Sequence, residues 1–83
     1  MVYNLSYKKS VFRDLKRIGK SEARRIMDRL EQELSVKADA FPILKGKFAG
    51  LRKFRVGNYR VIYIIEGKEI LVLRIGHRSD VYN

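Results

Sequence analysis

LRKFRVGNYRVIYIIEGKEILVLRIGHRSDVYN, residues 51–83, is the stretch whose reading decides the fold. It reads as three apolar strands in succession. Gly57-Asn58 separates LRKFRV from YRVIYIIE, and Gly67-Lys68 separates the latter from EILVLRIG. Glycine at the first central position of a two-residue loop suits a type II′ turn, whose twist matches that of paired strands. Register then follows by counting. In the first hairpin 56 faces 59, 55 faces 60 and 53 faces 62; in the second 66 faces 69, 62 faces 73 and 60 faces 75. Alternation puts Leu51, Lys53, Arg55, Arg60, Ile62, Ile64, Leu71, Leu73 and Ile75 on one face. Phe54, Val56, Tyr59, Val61, Tyr63, Ile65, Ile70, Val72 and Arg74 share the other.

Upstream, Val2–Ser6 reads as a short edge strand. Val11, Phe12, Leu15 and Ile18 form one apolar stripe on a helix that Gly19 stops. Ser21 suits the cap of a second helix, in which Ala23, Ile26, Met27, Leu30 and Leu34 repeat at helical spacing. A joint of about two residues implies an antiparallel helical hairpin. Pro42, Gly46 and Gly50 make residues 37–50 a loop. The expectation is a single α+β domain over residues 1–83: an N-terminal strand, a helical hairpin, then a three-stranded antiparallel meander packed against the helices. One hairpin of helices is too little to cover both apolar faces of such a sheet, so part of one face is left for a partner or a cleft.

Charge narrows the partners. The chain carries 19 Lys and Arg against 9 Asp and Glu, a net charge of +10 on 83 residues. That much like charge repels itself and calls for a polyanion such as nucleic acid or an acidic protein. No apolar run approaches the roughly 20 residues needed to span a bilayer, so no membrane partner is expected. Lys8, Lys9, Arg13 and Lys16 break up any N-terminal apolar segment, which points to the cytoplasm. With no Cys there is no thiolate chemistry and no cysteine metal site, and neither metal nor cofactor is expected.

The cations have a pattern. Lys53, Arg55 and Arg60 share one face near the Gly57-Asn58 end, where Ile75 leads into Gly76-His77-Arg78. Fixed guanidinium groups beside apolar strands suit a phosphate. His77, the lone histidine, reads as a polar strand-end residue that contacts phosphate rather than as an acid or base. Lys45 and Lys47, in the glycine-containing loop, suit contacts with a polyanion, because the loop is free to adapt. Arg24, Arg25 and Arg29 divide evenly between such a grip and an ordinary solvated face.

Gly-x-Tyr-Arg at 57–60 and Gly-His-Arg through Val-Tyr at 76–82 resemble the C-terminal half of the RelE/ParE superfamily of prokaryotic toxins. The order of strand, two helices and meander is that superfamily's order, and LKG at 44–46 fits its loop before the sheet. The resemblance, most like a RelE-type mRNA interferase, implies a type II toxin–antitoxin pair. It implies an enzyme that enters the ribosomal A site and cuts mRNA, with the RNA's own 2′-hydroxyl as nucleophile. Carried over by position, Lys53 would be the base, Arg60 would hold the scissile phosphate, Arg78 would serve the leaving oxygen and Tyr82 would orient the nucleotide. Arg52, Arg55, His77, Lys45 and Lys47 would bind RNA around them. The implied partners are the ribosome and an acidic, RelB-like antitoxin. Leu51 stands where the best-known RelE enzymes have a second lysine. That departure keeps two alternatives in view: a ParE-type toxin that poisons gyrase without chemistry, and a catalytically silent basic binding module.

Overall fold

The structure, a computed structural model, describes residues 3–44 and 50–77. Strand β1 is Asn4–Tyr7, helix α1 Lys9–Ile18 and helix α2 Lys20–Arg29. Strands β2, Arg52–Val56, β3, Tyr59–Glu66, and β4, Glu69–His77, form the meander. The four strands make one sheet in the order β1-β4-β3-β2, with β1 parallel to β4 and the meander antiparallel. The helices pack on one face, as the sequence led us to expect. Val11, Ile26, Leu30, Leu34 and Ala38 meet Phe54, Val56, Val61, Tyr63, Ile70, Val72 and Ile75, all 2 % exposed or less.

The helices differ from expectation in three places. Gly19 alone joins them, at φ 102°, a conformation that L side chains rarely adopt. Ser21 therefore lies inside α2 rather than capping it, and Gly19 is the cap. Phe12 points away from the core, 59 % exposed, while Asp14 is buried in its place on α1.

The third difference lies beyond Arg29, where the chain widens into a π-helical stretch, Leu30–Leu34, then a helical turn, Ser35–Lys37, and a 3₁₀ turn, Ala38–Ala40. The loop expected over 37–50 thus begins later. Spacing explains the widening. Ile26, Leu30, Leu34 and Ala38 recur every four residues and all are fully buried. An ideal α-helix turns about 40° too far at each such step, so the fourth member would leave the core face. A wider turn corrects the drift and keeps all four on the sheet.

Gly57 and Gly67 have φ of 59° and 62°, and neither Asn58 nor Lys68 has positive φ, which agrees with type II′ turns. The first hairpin has the counted register: Val56 faces Tyr59, Arg55 faces Arg60 and Lys53 faces Ile62. The second keeps it only near its turn, where Glu66 faces Glu69 and Tyr63 faces Val72. Beyond that, Ile62 faces Arg74 and Arg60 faces Gly76, not Leu73 and Ile75 as counted. One extra residue in β4 opposite Ile62/Tyr63 makes the shift, and a bulge of this kind exchanges the faces of everything after it. Ile75 accordingly enters the core at 1 % exposure, and Arg74 leaves the face assigned to it.

Helix α1 completes the bulged edge. β1 pairs only as far as Val72, which leaves the outer edge of β4 to find other partners. Ser10 Oγ donates to the Leu73 carbonyl at 2.9 Å. Asp14 Oδ2 accepts from the Ile75 N–H at 2.9 Å and from Arg74 Nε at 3.0 Å, while Asp14 Oδ1 accepts from Arg74 Nη2 at 3.3 Å. A buried carboxylate with three donors on two sides is stable where an unpaired one is not. Asp14→Ala should cost about 2–3 kcal/mol, because it strands both the Ile75 N–H and the Arg74 fork. Asp14→Asn keeps an acceptor for Ile75 and should cost about half as much. Urea unfolding curves compare the two; equal midpoints for wild type and alanine would show that the edge closes without Asp14.

Tyr63, fully buried, donates its hydroxyl to the Ala38 carbonyl at 2.6 Å and so pins the end of the second helical segment to β3. Burial pushes its phenol up to about 12, with the Arg52 guanidinium pulling the other way. A raised native value means that the unfolded chain loses this proton first. Stability is therefore whole below pH 10 and falls as pH rises from there towards about 12. Tyr63→Phe should lose about 1 kcal/mol at neutral pH and show a shallower alkaline decline. Thermal unfolding across pH 8–12, on the order of the tyrosine range, reads both effects.

Candidate functional site

Lys53 and Arg55 on β2 and Arg60 on β3 alternate onto the sheet face opposite the helices, because none of the three can be buried in the core. Ile62, Ile64, Leu71 and Leu73 supply the apolar part of that face. Arg55 and Arg60 are direct cross-strand partners. Two like charges so placed destabilise a hairpin, by about 0.2–1 kcal/mol, unless an anion joins them. Arg55 Nε also donates to the Gly57 carbonyl at 3.3 Å, which holds it at the turn.

Helix α2 brings further cations to the same end. Arg25 lies over Gly57, its Nη2 only 3.2 Å from where a Cβ would sit. Gly57 is thus required twice, for its positive φ and for this approach. Arg25 also pairs with Glu22 at 3.4 Å, and Arg29 Nε pairs with Glu33. The Arg29 guanidinium stands 5.5 Å from the centre of the Phe54 ring, and Phe41 meets that ring edge-on at 4.8 Å. Arg29, Glu33, Phe41, Pro42, Lys53, Phe54, Arg55 and Arg60 together line a cleft of about 300 Å³ at the β2 edge.

Of the residues singled out in the sequence, Lys53, Arg55 and Arg60 come together. Arg52 turns instead to the loop, where its Nη1 donates to the carbonyls of Phe41, at 2.7 Å, and Asp39, at 3.2 Å. His77 faces Tyr59 across β3 and β4 with the rings edge-to-face, 6.1 Å apart, and shares a second hollow with Asp14, Arg17 and Arg74. Lys45, Lys47, Arg78 and Tyr82 lie outside the described residues. Leu51 is half-buried, and its carbonyl accepts from the Leu44 N–H. Among the described residues no three His, Cys, Asp or Glu side chains come together as a metal site. None of the described helices is long and apolar enough to cross a membrane.

Glu33, Phe41 and Pro42 were not foreseen at this site. The four-residue spacing of Arg29 and Glu33 signals an ion pair, but not that a loop aromatic folds against it. The Arg55–Arg60 pair gives a direct test of purpose. Arg55→Ser should leave urea stability at low salt unchanged or raise it by up to about 1 kcal/mol. A clear loss of stability would make Arg55 structural.

The fold has known relatives. It superposes on the toxin–antitoxin complex RelBE2 from Mycobacterium tuberculosis with a TM-score of 0.87 at 23% identity, over 94% of this chain and 100% of that one. The archaeal RelE–RelB complex from Pyrococcus horikoshii OT3 matches with a TM-score of 0.71 at 27% identity, over 98% and 100%. The chromosomal ParDE system of P. aeruginosa matches with 0.70 at 20% identity, over 92% and 96%. No curated protein matches the chain in sequence. Residues 5–82 match the family described as the ParE toxin of the type II toxin-antitoxin system, parDE. With nearly its whole length inside that match and its fold shared by RelE and ParE structures alike, the chain belongs to the RelE/ParE superfamily of type II toxins.

Proposed function

We propose that the chain is a ribosome-dependent endoribonuclease toxin that cuts mRNA in the A site. The observation that carries this reading is the set formed by Lys53, Arg55 and Arg60 on a helix-free sheet face, with Arg29 at its rim. Cleavage by a 2′-hydroxyl needs a base for that hydroxyl, cations for the dianionic phosphorane and a proton for the 5′-oxygen. On this mechanism Lys53 takes the hydroxyl proton and Arg60 holds the phosphate, with Arg55 as its direct cross-strand neighbour. In this reading Arg78 serves the leaving oxygen and Tyr82 orients the nucleotide. The site holds few acid–base groups, so the ribosome supplies the alignment that brings the 2′-oxygen in line. The likeness to RelE structures supports the reading.

The protein partner is an acidic antitoxin, RelB-like in type, whose carboxylates neutralise the same cations while apolar residues cover Ile64, Leu71 and Leu73. Both proteins act in the cytoplasm, where ribosomes are. The description of the matching family and Leu51 favour one other reading, a ParE-type toxin that inhibits gyrase.

Primer extension on a programmed ribosome separates the two. Breaks within the A-site codon are expected, with little cutting of naked RNA. Arg60→Ala and Lys53→Ala should each lower cleavage by about 10²-fold, the scale of one lost transition-state contact, with unfolding curves unchanged. Arg13→Ala, on α1, should matter little. Intact mRNA together with inhibited supercoiling establishes the gyrase reading instead.

A further inference from the structure

The cleft at the β2 edge contains more than phosphate chemistry requires. Lys53 and Arg60 belong to the open face of the sheet, whereas Arg29 and Glu33 come from the helical side and Phe41 and Pro42 from the loop before β2. At about 300 Å³ the space is at the small end of ligand pockets, enough for one flat ring system with its sugar. Its walls are flat groups: the Arg29 guanidinium, the Phe41 ring and the Pro42 ring. Such groups stack on bases. A phosphate alone gains nothing from them, and neither does a purely apolar guest from the four cations.

We propose that this cleft receives an unpaired nucleobase of the RNA whose phosphate lies on Lys53 and Arg60, and that Arg29 and Glu33 sort bases there, guanine first and uracil last. The inference rests on the nuclease reading for its ligand class. The sorting follows from donor counting. Arg29 and Glu33 are bound to each other through Nε and one carboxylate oxygen, which fixes both side chains. A guanidinium has five N–H donors and a carboxylate about four acceptor sites, so that single bond leaves capacity on each. The pair therefore offers donors beside acceptors. Guanine's Watson–Crick edge carries one acceptor, O6, beside two donors, N1–H and N2–H, and a carboxylate takes both donors at once. Cytosine and adenine each present one amino donor beside a ring acceptor. Uracil presents a single N–H between two carbonyls and leaves Glu33 facing an oxygen, a like-for-like clash.

Among the described residues Glu33 is the only carboxylate lining the cleft, beside the four cations Arg29, Lys53, Arg55 and Arg60. A plain anion site has use for it only as the group that holds Arg29 in place. Its presence beside Arg29 is accounted for if the cleft reads a base edge as well as attracting a backbone.

Titration of the full chain with GMP, AMP, CMP and UMP, followed by NMR, tests this without any cleavage. GMP should shift the Phe41 and Phe54 ring signals and bind at least about fivefold more tightly than UMP, the low end of one well-placed bidentate contact. Inorganic phosphate should move Lys53, Arg55 and Arg60 signals and leave the Phe41 and Phe54 rings in place. Glu33→Ala should bring GMP and UMP within about twofold of each other while the phosphate response persists. Glu33→Gln, which replaces an acceptor by a donor at unchanged size, should narrow the gap as well. Equal affinities for all four nucleotides in wild type, or shifts no different from those of phosphate, overturn the proposal. So does a hexaglutamate peptide that shifts Phe41 where no nucleotide does, because the cleft is then a protein-binding groove. On programmed ribosomes the two ideas part. A chain that takes GMP into the cleft but leaves mRNA intact keeps the cleft and removes the nuclease. A chain that cuts with a base preference untouched by Glu33→Ala keeps the nuclease and removes the cleft.

Discussion

The carboxylate of Asp14 is the contact on which the far half of the sheet depends. β1 is four residues long and reaches only to Val72, while β4 runs on to His77. A bulge then interrupts the ladder on the other side of the same strand. A strand with one edge bare and the other irregular ordinarily frays. Here α1 stands in for the missing partner. Ser10 takes the Leu73 carbonyl, and Asp14 takes the Ile75 N–H together with the Arg74 fork. The bond sets the direction of everything after it. Ile75 is drawn into the core, and Gly76 comes to lie opposite Arg60. A helix residue buried for structural reasons thus shapes the site from behind.

The cations obey the opposite economy. Asp14 gathers its donors and is buried, whereas Arg55 and Arg60 face each other across a hairpin with only partial shelter. Helix α2 adds Arg25 above Gly57 and Arg29 above Phe54, the first tied to Glu22 on α2 and the second to Glu33 in the π-helical stretch. Surface pairs of that kind contribute little to stability, commonly below about 1 kcal/mol. Their value lies in position: each glutamate fixes one guanidinium, and the rest of the fork is presented outward. Part of the net charge of +10 is thus held in fixed positions at the Gly57 end of the sheet, while Lys8, Lys9, Arg13, Lys16 and Arg17 carry more of it along α1 and the turn before it.

Much of this was legible in the sequence, and the rest was hidden for identifiable reasons. The first hairpin could be counted because a two-residue glycine turn fixes register locally, and Lys53, Arg55 and Arg60 followed from parity alone. The second hairpin failed midway because its bulge is stabilised by Asp14, about sixty positions earlier, and parity has no access to such a partner. Phe12 was assigned to the core on spacing; α1 packs on the face through Val11, Leu15 and Ile18, and its side towards the β4 edge buries the polar Asp14 while Phe12 stays exposed. Ile26, Leu30 and Leu34 were recognised as core, but their strict four-residue repeat, continued by Ala38, was itself the sign of a wide turn and went unread. The β2 cleft draws on α2, its π-helical extension, a loop and two strands, and no local pattern assembles such a set.

One face thus has to answer two demands. In the proposed reading the free toxin gains from guanidinium groups gathered on one face, because fixed cations attract and orient a phosphodiester. The same cluster strains the hairpin that carries it and leaves Ile64, Leu71 and Leu73 half-exposed beside it. An acidic, partly apolar chain laid on this face relieves both defects at once, by supplying carboxylates to Arg55 and Arg60 and covering the aliphatic side chains. If the proposed nuclease site and the proposed antitoxin contact share this face, neutralisation and activity exclude each other without any switch in the fold. Each ligand stabilises the sheet by contacts that the other needs, so the choice between them reduces to affinity and local concentration.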